Sequence, residues 1–152
     1  MRRLLIPIVV VLVLSLSLTP AFAAAEKSVT ITEAQANELY RVKNPIRPAV
    51  SNVSVDFQPG VVIITSTVTR RNAAAVIAIT TYAPYLKNGR LYWTVTARTK
   101  DGTAVPADVL AQINASISTS WFNFIRGKLP AGKITGIVIT GTDLSISYTT
   151  PR

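Results

Sequence analysis

The chain has 152 residues, with 16 Lys and Arg against 7 Asp and Glu, and neither histidine nor cysteine. That composition excludes Ser-His-Asp and Cys-His catalysis, imidazole general bases, disulfide frameworks and thiolate metal sites. The length suits one domain, because two halves would each have a very small core.

Met1-Arg2-Arg3 is a short basic start, and Leu4 to Leu18 is apolar apart from Pro7, Ser15 and Ser17. Thr19-Pro20 breaks a helix, and Ala21-Phe22-Ala23 supplies the small-x-small pattern of a cleavage site. Residues 1–23 therefore read as a secretory signal peptide cut after Ala23, which leaves residues 24–152 as a single domain. The alternative is an uncleaved anchor, since Leu4 to Ala25 reaches the ~20 apolar residues that span a bilayer. Both readings place the domain outside the cytoplasm, secreted or in the periplasm or cell envelope. Without cysteine there is no lipoprotein anchor.

Thr32-Glu33-Ala34-Gln35 fits a capping box and predicts a helix to about Lys43, stopped by Asn44-Pro45. Ala36, Leu39 and Tyr40 form its apolar face. Four strands are expected next. Val53, Val55 and Phe57 alternate with polar neighbours, and Gln58-Pro59-Gly60 turns that strand into Val61 to Arg70. Arg71-Asn72 turns again into Ala74 to about Tyr82, which Pro84 is expected to interrupt. Asn88-Gly89 is a strong hairpin signal. It leads into Arg90 to Arg98, with Leu91, Trp93, Val95 and Ala97 on one face, and Lys100-Asp101-Gly102 closes the meander.

The period then changes from two to 3.6. Pro106 and Asp108 suit a first helical turn, and Leu110, Ile113, Ile117, Trp121 and Phe124 recur at spacings of three and four. Gly127 and Pro130 end this helix, which at about twenty residues is ~30 Å long and can lie along a whole sheet. Strands at Ile134 to Thr140 and Leu144 to Thr150 finish the chain. The expectation is an α+β domain of order α-β-β-β-β-α-β-β: an antiparallel, curved sheet packed along one long helix.

Chemistry has few places to reside. Glu26, Glu33 and Glu38 lie in or before the first helix, Asp101 and Asp143 in turns, Asp108 at a helix start and Asp56 on a strand. They form no acid/base pair, no clustered calcium ligands and no catalytic motif, and the glycines fit no phosphate-binding pattern. The chain reads as a non-enzyme with no cofactor and no metal. The basic residues collect at element ends. Arg70, Arg71, Arg98 and Lys100 are expected at one end of the meander, where they favour anionic membrane surfaces or polymers at ~1 kcal/mol per residue. Lys87, Arg90, Arg126 and Lys128 are expected at the other. Nucleic acid is not expected as a partner, since no basic recognition helix or stacking motif is present.

The helix start Thr32-Glu33-Ala34-Gln35-Ala36-Asn37, the hairpin into Leu91-Tyr92-Trp93-Thr94-Val95, the Gly102-to-Pro106 step into a helix and the closing strand pair together resemble a known group. They are similar to small bacterial extracytoplasmic proteins of the TULIP-like (tubular lipid-binding) type, including LmeA-like phospholipid-binding proteins. The resemblance covers roughly residues 30–150. It implies a long curved sheet wrapping a helix around a lipid-sized apolar channel, and a lipid or other apolar chain as ligand. The residues it points to are Leu110, Ile113, Ile117, Trp121 and Phe124 on the helix, with inward strand residues such as Trp93 and Val95. Two readings follow. One is a lipid-binding domain holding an apolar chain between helix and sheet. The other is a solid-core structural or interaction module of the cell envelope that binds anionic polymers or a protein partner.

Overall fold

In the computed structural model, which describes residues 25–41, 49–129 and 131–150, Thr32 caps the first helix as its sequence requires. The Gln35 N–H donates to Thr32 Oγ1 at 3.3 Å, and the Thr32 N–H donates to Gln35 Oε1 at 3.1 Å. This reciprocal pairing satisfies two orphan donors of helix α1 (Glu33–Arg41). The expected stop at Asn44-Pro45 and the signal peptide at 1–23 lie outside the described residues.

The segment before the cap is a strand, β1 (Glu26–Thr32), which sequence reading omits. Val29 and Ile31 alternate with polar residues, and Ile31 is fully buried. β1 pairs antiparallel along its whole length with the last strand, β7 (Asp143–Thr149), setting Glu26 opposite Thr149. A partner from the far end of the chain thus turns a short, weak pattern into a strand.

β2 (Val50–Gln58), β3 (Val61–Arg70), β4 (Ala73–Lys87) and β5 (Arg90–Thr99) form the expected antiparallel meander, in that order. Gly60 (φ 83°) follows Pro59 in the first turn, and Asn88 (φ 53°) with Gly89 (φ 71°) makes the hairpin between β4 and β5. Both turns have the left-handed conformations their residues favour. Pro84 does not interrupt β4. β3 has already ended beside Tyr82, opposite Val62, so the side of Pro84 away from β5 faces no ladder that needs its missing N–H.

β6 (Lys133–Ile139) and β7 complete a separate three-stranded sheet, β1-β7-β6, in place of the single sheet expected. The reason is visible at the ends of β6. The Ile134 N–H donates to the Gly89 carbonyl at 3.0 Å, and the Gly60 N–H donates to the Ile139 carbonyl at 3.1 Å. β6 thus meets two hairpin tips of the meander, and no continuous ladder joins the sheets.

The expected single long helix is also corrected. It consists of α2 (Ala107–Ile113), a π-helical turn (Asn114–Ser118) and α3 (Thr119–Lys128). The buried apolar residues are Val109, Ile113, Ile117, Trp121 and Ile125, at every fourth position. A strict four-residue repeat drifts by about 40° per step around a 3.6-residue helix, and one wider turn takes up that drift. Polar side chains serve the widened turn. Tyr40 Oη donates to the Ile117 carbonyl at 3.0 Å, Ser116 Oγ to that of Gln112 at 2.6 Å and Thr119 Oγ1 to that of Asn114 at 2.9 Å. The helical line packs against both sheets, and one core cluster joins Phe57, Val62, Ile64, Val68 and Tyr82 of the meander to Ile31, Leu144 and Ile146 of the smaller sheet.

Candidate functional site

The residues selected for an apolar channel separate into three groups. Ile113, Ile117 and Trp121 are 0 %, 2 % and 0 % exposed and fill the core. The Trp121 ring stands edge-on to Phe57 at 6.4 Å and to Trp93 at 5.7 Å, with Tyr82 tilted against it at 6.2 Å. Phe124 and Trp93 are half-buried at the edge of that cluster, and Lys128 Nζ lies 5.6 Å from the Phe124 ring centroid. Leu110 and Val95 are exposed, at 38 % and 37 %. Leu110 precedes the π turn and stands one position off the buried line through Val109. Val95 is on β5, the strand at the margin of the meander.

Beside Trp93 the surface opens. Leu91, Tyr92 and Trp93 of β5 face Phe122, Ile125, Arg126 and Leu129 of the helix end across an open cleft of about 310 Å³. The helix presents a second apolar side chain here because Trp121-Phe122 is a doublet: Trp121 lies on the core line and Phe122 turns from it into the cleft, which Ile125 of the core line also borders. That doublet is the sequence signal for the cleft. Arg126 and Leu129 carry no such signal, since their neighbours depend on which strand lies at the sheet margin. Arg126 supplies a cation, and no carboxylate lines the cleft.

The basic residues expected together at the far end of the meander are not one cluster. Arg70 holds Asp108 in a two-point contact, Nε to Oδ2 at 2.8 Å and Nη2 to Oδ1 at 3.1 Å. These hydrogen bonds are the main reason the Asp108 carboxyl lies below its usual range. Arg71 is exposed beside them, next to a depression of about 280 Å³. Arg98 and Lys100 lie elsewhere. Thr99 is level with Ala78 on β4 and so with Ser66 on β3, which leaves Arg70 about 13 Å further along the strand direction.

The carboxylates serve the fold. Glu33 accepts the Phe57 N–H at 2.9 Å, Glu38 pairs with Arg41, Glu26 accepts from Thr135, Asp56 from Gln58 and Asp143 from Thr142. Among the described residues no group of three His, Cys, Asp or Glu is placed to hold a metal ion, and no helix is long and apolar enough to cross a membrane. Comparison with protein-family models, with curated proteins and with solved structures gives no match. The site therefore has to be read from its own chemistry.

Two phenols, Tyr82 buried and Tyr40 half-buried, complete that chemistry. Burial pushes Tyr82 up to about 12, against the lowering effect of its 2.9 Å hydrogen bond with Ser118. Burial raises Tyr40 further, helped by the neighbouring Tyr82. Both stay neutral at physiological pH and act as hydrogen-bonding groups that hold the helix to α1 and to β4.

Proposed function

We propose that this chain is a non-enzymatic, exported binding module of the cell envelope, built round a filled core, and that its ligand lies in the open cleft between β5 and α3. The observation that supports this best is a contrast. Ile113, Ile117 and Trp121, which an enclosed chain would have to displace, are at most 2 % exposed. Leu91, Trp93, Phe122 and Leu129 instead line space open to a partner. At about 310 Å³ the cleft stands at the lower end of the ~300–1,000 Å³ typical of ligand sites. Arg126 at its side favours a partner with negative charge, and Arg71, Arg98 and Lys100 add a general attraction to anionic surfaces.

The apolar lining and the TULIP-like resemblance favour a second reading, in which an acyl chain lies in the cleft and Arg126 faces an anionic headgroup. Native mass spectrometry separates the two. The protein is exported by a bacterial host and purified without detergent. The bare polypeptide mass is the expected result. An added mass that disappears on organic extraction and matches a host lipid would replace the filled-core module with a lipid carrier.

A further inference from the structure

The two margins of the meander are treated in opposite ways. Along β2 the open margin is sealed by side chains of α1. Asn37 Nδ2 donates to the Val55 carbonyl at 2.8 Å, Asn37 Oδ1 accepts the Val55 N–H at 2.8 Å, and Glu33 accepts the Phe57 N–H. β2 is also irregular, with a register shift between Ser51 and Ser54. β5 has no such protection. Its ladder with β4 runs without a bulge from Arg90 to Thr99, and the stretch from Leu91 to Ala97 contains no charge, no proline and no glycine. Natural sheets rarely leave an uncharged, bulge-free margin of this kind unguarded unless something pairs with it.

The direction of the free backbone groups follows from two hydrogen bonds. The Lys100 N–H points to β4, donating to the Ile77 carbonyl at 2.9 Å. The Thr99 N–H points the other way, to the Thr103 carbonyl at 2.9 Å, beside the bridge between Arg98 and Ala104. Alternation along an antiparallel strand then turns the N–H and C=O of Leu91, Trp93 and Val95 outward. Among the described residues no strand pairs with them. The slot has two ends: the bond from Ile134 to Gly89 closes one, and the bridge at Arg98 closes the other. Between them a strand of about seven residues fits, at ~3.3 Å per residue.

We propose that the outer margin of β5 accepts an extended peptide segment of a partner protein, acidic at both ends and apolar at alternate positions between them. This rests on the cleft being open, as argued above. Main-chain hydrogen bonds to Leu91, Trp93 and Val95 hold the segment, and every second side chain enters the cleft against Phe122 and Leu129. Charge selects the occupant. Arg90 and Arg98 bracket the slot and Arg126 lies along it, with no carboxylate on β5 or in the cleft. A second copy would bring the same arginines against one another, whereas acidic ends meet them.

The test uses an acetylated, amidated nine-residue peptide with Glu at both ends and Val at every second position, titrated calorimetrically into the exported protein. Two controls have the same length: one with Lys at both ends, and one N-methylated at its valines, which removes the donors facing β5. Each control is expected to bind about tenfold more weakly or worse. The acid-ended peptide is also expected to slow hydrogen exchange at Leu91, Trp93 and Val95. Arg90→Glu with Arg98→Glu, both on exposed side chains, should reverse the preference between acidic and basic ends. Val95→Pro removes one outward donor without touching the β4 ladder and should weaken binding about fivefold. Equal binding of the three peptides by folded protein, or none at millimolar concentration, overturns the proposal. So does a dimer whose β5 amides are already protected without peptide. A co-purified lipid with the peptide preferences intact would overturn the filled-core reading and leave strand addition standing.

Discussion

Asn37 does for β2 what a neighbouring strand would otherwise do, presenting a donor and an acceptor to the same residue, Val55. Asn37→Ala leaves both groups without a partner at a half-buried position. It is expected to lower stability by about 1–3 kcal/mol, read as a lower denaturant midpoint with unchanged slope. Tyr82 gives a prediction with a pH sign. In the unfolded chain it ionises near the ordinary 10.0, and in the fold only near about 12. Its contribution is therefore complete below pH 10 and is lost as the pH rises toward 12. Tyr82→Phe should cost about 1 kcal/mol at neutral pH through the lost Ser118 bond, while making alkaline unfolding less steep.

At the level of elements, the two margins of the meander should differ in hydrogen exchange. Val55 and Phe57 amides on β2 are expected to be protected by α1. On β5, Leu91, Trp93 and Val95 are expected to exchange faster than Tyr92, Thr94 and Thr96, whose N–H groups face β4. Fast and slow amides alternating along one strand, measured by NMR, is the outcome that fits; uniform protection contradicts the assigned direction. The π turn makes a second test. Deleting Ala115 changes the buried spacing from four throughout to four, three, four and four, which a regular helix accommodates. The fold is expected to survive at a cost below about 2 kcal/mol, whereas Trp121→Ala should cost about 3–5 kcal/mol, both read by thermal melting. What the sequence made legible was local chemistry. Thr32 and Gln35 specify a cap, Pro59-Gly60 and Asn88-Gly89 specify turns, and strict alternation marks β2 and β5. What it hid depends on distant partners. β1 has only Val29 and Ile31 to announce it and is a strand because β7 lies beside it. Pro84 sits within a strand because β3 stops short. A constant 3.6-residue period puts Leu110 and Phe124 on the buried face, whereas the buried line follows the four-residue repeat from Val109 to Ile125. The cleft was half-legible, through the doublet ending at Phe122, but not Arg126 or Leu129.

Across the described residues, one core is shared by two sheets that touch through hairpin tips, and the smaller sheet joins the first described strand to the last two. Glu26 lies opposite Thr149, and the strand between β1 and β6 is the last described in chain order. Closing so long a loop carries an entropic cost, and a topology rich in such distant pairing folds slowly. Until β7 is in place, β1 and β6 have no common partner, however much of the meander has formed. β7 is therefore the clasp of the fold: one strand, by pairing on both sides, decides whether the smaller sheet exists.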